Sequence, residues 1–325
     1  MKGKSPHDAE FLLKEEASAF DQQILERIEN GYIPDLKRYS RNEWFQNNPW
    51  RDSFYADMVF GTIVRQISEA KEKYLAETNV RILEVACGPG HICLELARIG
   101  YEVHGIDISP QSIKFARQFS ETDPFNKGRG PLTYQCSSLF DFQTENSYDI
   151  VVFANALHHF GDIERVLRKT EILLKENGLF YASEPVREGF SDADATVVHL
   201  IRALLSRAGI YYEPVPVPDS KDEFNQMLKT IKDEFYCRAE KGDKVQSPLD
   251  NEAVFSDMYP VMKSVFEELE MRMDFSFFDR IVGGLRCRNR EEDHKMAEWL
   301  YNVDRLLCAT GKTTAEQFHF IGRKK

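Results

Sequence analysis

The chain has 325 residues, enough for one large domain or two ordinary ones with a buried core. With 42% hydrophobic, 12% aromatic and 29% charged residues, its composition excludes wholesale disorder and fibrous repeats. Forty-two basic residues against 53 acidic ones give a net charge of −11, which disfavours a protein that coats nucleic acid or anionic membrane.

Leu13, Ala17, Phe20, Ile24 and Ile28 recur at steps of three and four, so the spacing predicts an amphipathic helix over 8–30, closed by Gly31. An aromatic connector from Tyr39 to Trp50, with Trp44 and Phe45, leads to a second helix over 52–76 whose apolar stripe is Phe60, Ile63, Val64, Ile67 and Tyr74. From residue 80 short apolar runs alternate with helical segments: VRILEVA, a helix over 90–99, YEVHGID, and a helix opened by Ser109 and Pro110. PLTYQC, YDIVVFA, a helix through Ile163, Val166, Leu167 and Leu173 stopped at Gly178, and LFYASEP continue the alternation. Such βα alternation predicts a mainly parallel sheet covered on both faces. After Pro185 it lapses into helices near 193–208, 221–239 and 252–269, read as an inserted cap. It resumes as LEMRMDFSFF, a helix carrying Met296, Leu300, Val303, Leu306 and Leu307, and a closing strand EQFHFIGRKK.

The six cysteines, at 87, 93, 136, 237, 287 and 308, show no C-x-x-C pair and no zinc-type Cys/His spacing, so free thiols and no metal are expected. The first twenty residues carry charges throughout and no stretch approaches a membrane span, which leads to the expectation of a cytoplasmic protein with no membrane partner.

Strand one ends in Glu84-Val85-Ala86-Cys87-Gly88-Pro89-Gly90, and nineteen residues beyond Gly88 strand two ends in Asp107. The glycines allow a turn and close approach of backbone to a ligand, and the acid can accept both hydroxyls of a ribose. A dinucleotide fingerprint needs a third glycine where Cys93 stands, and Glu84 would repel a diphosphate, so a nicotinamide oxidoreductase is disfavoured. These residues resemble the class I S-adenosylmethionine-dependent methyltransferases, whose first motif is E/D-x-x-x-G-x-G. The similarity extends through LTYQCSSLFDF, YDIVVFANALHHF, GLFYASEP and FHFIGRK, about residues 78–185 and 270–325.

The resemblance implies a Rossmann-like α/β fold with a seven-stranded, mainly parallel sheet. It places the core in 78–185 and 269–325 and an N-terminal helical lid in 1–77, while the lapse in alternation is what sets the helical cap, or substrate-binding insertion, in 186–268. It assigns the methionine end of S-adenosylmethionine to Glu84, Ala86, Gly88 and Gly90, with Asn155 beside it, the ribose to Asp107, and the adenine to Ile108, Ser138 and Leu139. Ser138 departs from the acid that the family usually carries there. His158 and His159 follow strand four at the mouth where such sheets bind ligands, and with Glu184 they are the candidate proton acceptors, His158 first. Each is also read as a residue satisfied within the fold. Arg51 and Tyr55 are the candidates to reach the substrate from the lid. A small-molecule methyl acceptor is expected, methylated on O or N with S-adenosylhomocysteine as product. An RNA or protein methyltransferase on the same core, or a non-catalytic S-adenosylmethionine-binding protein, is the alternative.

Overall fold

The computed structural model describes residues 6–40, 46–236 and 247–325, with side chains from residue 11. Trp44, Phe45 and Cys237, and the end of the helix expected over 221–239, lie outside the described residues. The alternation read from residue 80 builds one seven-stranded sheet in the order β3-β2-β1-β4-β5-β7-β6. Its strands are β1 (Arg81–Val85), β2 (Glu102–Asp107), β3 (Leu132–Cys136), β4 (Tyr148–Ala154), β5 (Leu174–Pro185), β6 (Phe266–Asp274) and β7 (Gln317–Lys324). Only β7 runs against the others, pairing antiparallel with both β5 and β6.

Side chains alternate across the pleat, so consecutive residues feed different cores. Leu83, Val151, Phe153, Phe180 and Phe320 join one buried cluster with α6 (Ile163–Leu173) and α9 (Phe255–Val265). Ile82, Val103, Ile150, Val152 and Leu179 join a second with α3 (Thr62–Tyr74), α4 (His91–Ile99) and α5 (Pro110–Glu121). A third cluster stands apart from the sheet, made of α2 (Ser53–Ala56), α7 (Asp192–Arg207), α8 (Lys221–Phe235), α10 (Arg290–Ala309) and the segment 275–285. The N-terminal helix α1 (Pro6–Glu29) lies along α5, where Ile24 and Ile28 meet Phe115 and Phe119. Its Asp21 accepts from the Ser109 hydroxyl at 2.5 Å and from the Gln111 N–H at 2.9 Å.

Several expected boundaries move. The helix expected to run to Gly178 ends at Leu173, because Leu174 already pairs with Tyr148 at the start of β5. Gly178 serves a bulge in that strand, where a Cβ would sit 2.9 Å from the Lys175 carbonyl oxygen. The helix expected over 252–269 is α9, which ends at Val265, and β6 begins at Phe266. Met258, Met262 and Val265 of α9 bury against the sheet with α6, so this stretch packs as a core layer. Conversely 275–285 and α10 pack with the cap helices although they lie within 269–325. The expected strand LEMRMDFSFF stops at Asp274 because the Asp304 carboxyl of α10 gathers the next N–H groups, Ser276 at 2.8 Å, Phe277 at 3.0 Å and Phe278 at 2.6 Å. Leu306, placed on the apolar stripe of α10, is 66% exposed.

Among the described residues, no helix is long and apolar enough to cross a membrane. Cys87, Cys93, Cys136, Cys287 and Cys308 are free thiols.

Candidate active site

Strand order reverses between β1 and β4, and the crevice beyond their carboxyl ends is where open α/β sheets take ligands. A cavity of about 1320 Å³ fills that crevice. Glu84, Ala86, Gly88, Asp107, Ile108, Ser138, Leu139, Asn155, His158 and His159 all line it. Residues far apart in sequence are thus brought to one wall by the parallel topology.

The loop after β1 turns through three left-handed residues, Ala86 at φ 54°, Gly88 at 52° and Gly90 at 80°. A Cβ on Gly88 would meet nothing within 4 Å, so the missing side chain leaves open space on the cavity wall. Gly90 does a different job from the one the motif suggested. Its Cβ would lie 2.5 Å from the phenol oxygen of Tyr134, whose O–H donates to the Gly90 carbonyl at 3.1 Å, and the residue is not part of the cavity wall. It lets the loop pack on β3.

Asp107 is buried at the tip of β2, where Oδ2 accepts from the Gly88 N–H and Oδ1 from the Ser109 N–H, each at 2.8 Å. Each oxygen keeps a lone pair for a second donor. Beside it Glu84 accepts from the Cys93 thiol at 2.8 Å. A buried acid facing the cavity, a glycine cradle open to it and two braced acceptor oxygens fit a ligand with ribose hydroxyls and a cationic end, as S-adenosylmethionine has. Ser138 donates to the Asp141 carboxylate at 2.6 Å, and Asp141 also lines the cavity. An acid thus stands three residues beyond the position where the family usually carries one.

Backbone strain marks the same wall. Ala86, Asn155, Arg187 and Phe275 follow β1, β4, β5 and β6, adopt φ of 54°, 53°, 58° and 46°, and all line the cavity. Non-glycine residues held there cost about 1–3 kcal/mol each and gather where ligands bind.

Burial pushes the Glu84 carboxyl up to about 7, the Cys93 thiol opposing. Burial also pushes Asp107 up to about 6, against the N–H groups of Ser109 and Gly88, with Asp21 raising it and His159 lowering it. Both acids hold their protons more tightly in the fold than when unfolded. Their neutral forms stabilise the empty fold at acid pH, and that contribution is lost as pH rises through 6 to 7. A cationic ligand wants them ionised, so its binding expels protons. Calorimetry of S-adenosylmethionine binding should give an affinity roughly tenfold or more weaker at about pH 5.5 than at about pH 7.5, with buffer-dependent heat. A pH-independent affinity would remove both acids from the contact.

His158 is buried, with Nδ1 2.7 Å from Glu184 Oε2. Burial holds the ring's pKa below its ordinary value, Glu184 opposing. Glu184 itself is fully buried and not part of the cavity wall. It accepts from the N–H groups of Ala156 and Leu157, both at 2.8 Å, and so holds the loop after β4 as well as the ring. This removes Glu184 from reach of a substrate. His159 places Nδ1 3.1 Å from Glu16 of α1 and packs edge-on against Phe20.

Two expected residues miss the site. Tyr55 is fully buried in the cap cluster, and Arg51 lies over its ring and 4.0 Å from Asp293. Neither lines the cavity, because the short helix carrying Tyr55 turns inward to the cap. Trp50 takes that place, stacked on Phe60 at 4.7 Å. The α1 side chains Leu13, Glu16, Phe20, Gln23 and Ile24 also line the cavity, on the face that periodicity marked only as apolar. Its far end is polar, with Arg187, Glu234, Arg280, Glu316 and His319, and burial pushes Glu316 up to about 8. These residues carried no motif. The one available signal was the adjacent pair Phe277-Phe278, which an edge strand cannot bury on one face.

The profile of a methyltransferase domain matches residues 76–253, more than half of the chain. A ubiquinone biosynthesis O-methyltransferase of Bradyrhizobium is 27% identical over 213 residues, 65% of this chain and 78% of that protein. One of Rhodopseudomonas palustris is 27% identical over 150 residues, 46% of this chain and 56% of the relative's length. In fold, the chain resembles a Galdieria sulphuraria protein provisionally described as a sarcosine dimethylglycine methyltransferase, with a TM-score of 0.51 at 14% identity over 94% of this chain and 98% of that one. The glycine loop, the acid at the tip of β2, the sheet order and these similarities agree, and the chain belongs to the class I S-adenosylmethionine-dependent methyltransferases.

Proposed function

We propose that this enzyme transfers the methyl group of S-adenosylmethionine to a hydroxyl of a small molecule enclosed beneath α1 and the cap. The observation that carries the reading is the size and lining of the cavity. Its lining runs from the glycine loop and Asn155 to Arg187 and Glu316, and includes residues of α1 and of the segment after β6. At about 1320 Å³ it exceeds the 300–1,000 Å³ of an ordinary one-ligand pocket, which suits a cofactor and an acceptor together. A net charge of −11 argues against an RNA track, and the O-methyltransferase relatives favour oxygen as the acceptor atom.

The bound cofactor supplies a methyl group on a sulfonium, already electrophilic. The chain then has to bind, align and exclude water. Glu84, Ala86, Gly88, Asp107, Ile108, Ser138, Leu139 and Asn155 hold the cofactor in this reading. His158 and His159 face the acceptor, and Glu184 is a positioning residue that fixes the His158 ring. Helix α1 and the segment 275–285 act as the lid.

Amide hydrogen exchange tests the lid. Adding S-adenosylhomocysteine should slow exchange in α1 and in 275–285 relative to α10, which packs away from the cavity. Equal exchange with and without it would show that these segments do not close on the site.

A further inference from the structure

Beyond methyl transfer, one cluster at the cavity wall has a chemistry that the cofactor does not use. A ligand atom from each of His158, His159 and Asp250 lies within 4.8 Å of the other two. Asp250 comes from the turn before α9, and its side chain is 3% exposed. Both its oxygens are buried without a hydrogen-bond partner among the described residues, and His158 Nε2 lies 3.9 Å from Oδ1. A buried carboxylate in that position is costly unless a cation meets it.

The two rings are held as ligands are held. His158 Nδ1 is 2.7 Å from Glu184, and His159 Nδ1 is 3.1 Å from Glu16. Glu184 already accepts two backbone N–H groups, and Glu16 accepts from the Ser247 hydroxyl at 2.7 Å and the Leu249 N–H at 2.8 Å. Carboxylates so used are acceptors, so the proton of each imidazole sits on Nδ1 and the lone pair is left on Nε2. A carboxylate behind each histidine is the usual outer support of a metal-ligating imidazole. We propose that His158, His159 and Asp250 bind a divalent first-row transition cation at the cavity wall.

Two imidazoles and one carboxylate suit such an ion and leave further coordination positions open. Bonds of about 2.0–2.1 Å to nitrogen set ligands about 3–4 Å apart, so a closure of about 1 Å completes the set. Both rings line the cavity, which gives the ion a way in and turns the open positions toward the acceptor. An acceptor with one or two oxygen donors would be recognised there. That last consequence rests on the methyl-transfer reading; the cation site does not. The sequence shows no metal motif because the third ligand lies ninety-one residues beyond the histidine pair.

Tag-free full-length protein, stripped with EDTA and titrated with CoCl2, should develop visible d–d absorption that saturates at one equivalent and is displaced by ZnCl2. No thiolate charge-transfer band should accompany it; such a band would place the ion at cysteines and overturn the site. Asp250→Asn keeps the shape and removes the charge, and should weaken Co2+ at least about tenfold. Glu16→Gln, behind His159, should weaken it about 10- to 100-fold. Co2+ affinity unchanged in both variants, with S-adenosylmethionine binding showing that they fold, overturns the assignment. A wild-type protein that binds S-adenosylmethionine but gives no Co2+ band overturns the metal site alone. A saturating band in a protein that binds no S-adenosylmethionine upholds the site and contradicts the methyl-transfer reading instead.

Discussion

Asp107→Ala is expected to weaken S-adenosylmethionine binding by about 10²- to 10⁴-fold. Two ribose hydroxyls lose a charged acceptor, at about 1.5–3 kcal/mol for each bond. The carboxylate also braces the Gly88 and Ser109 N–H groups, so part of the loss comes through a loosened loop. Asp107→Asn separates the two contributions. It keeps one acceptor oxygen and should fall between wild type and alanine in affinity. Calorimetry beside thermal melting distinguishes contact from collapse: the melting temperature should drop by far less than the affinity would suggest. An alanine variant with wild-type affinity would remove Asp107 from the cofactor site.

The second large effect concerns stability. Arg98 of α4 is 2% exposed in its side chain and joins three parts of the chain. It donates to both Asp35 oxygens at 2.9 Å and to Asp123 at 2.6 and 3.1 Å, and it also pairs with Glu95. Asp35 lies just after α1, so this guanidinium ties the segment carrying the roof helix to the core. Arg98→Met keeps the bulk and removes the cation shared by Asp35, Glu95 and Asp123, leaving Asp35 with Arg38 at 2.6 Å and Asp123 with Arg129 at 3.7 Å, and the loss should approach that of a broken buried pair, about 3–5 kcal/mol. Burial pushes Asp35 and Asp123 up, but the bonds and charge of Arg98 with backbone N–H groups outweigh it and hold both below the ordinary carboxylate range. Their contribution is therefore present above about pH 4 and lost as pH falls further. Urea unfolding should show the full gap between wild type and variant at neutral pH and a smaller gap below about pH 4. A gap under about 1 kcal/mol at neutral pH would mean that the carboxylates reach water when Arg98 is gone.

The cavity wall around the glycine loop was legible in the sequence because its contacts are local. Glu84, Ala86 and Gly88 occupy one loop, Asp107 ends the next strand, and parallel pairing of β1 with β2 brings the two together whatever else the chain does. Gly90 shows the limit even there, since its partner is the side chain of Tyr134, forty-four residues on. The roof was not legible. Helical periodicity gives α1 an apolar face but does not say whether that face meets a sheet or a cavity. Arg51 and Tyr55 precede β1 in the sequence, where a lid is expected, yet burying the Tyr55 ring in the cap cluster outweighs its exposure to a ligand. Asp250 had no signal, because an isolated aspartate in a turn reads as a solvated loop. Helix α9 has a buried stripe like any cap helix, and its contact with α6 and the sheet is what shows that it packs as a core layer.

If the cavity holds S-adenosylmethionine beside a small acceptor, methyl transfer into small molecules follows. The direct measurement is transfer of tritium from methyl-labelled S-adenosylmethionine into a cell extract, with the products separated by size and Asp107→Ala run in parallel. Label is expected in the low-molecular-mass fraction as a base-stable methyl ether, and none with the variant. Label confined to protein or RNA, or low-mass label formed equally by the variant, would contradict it.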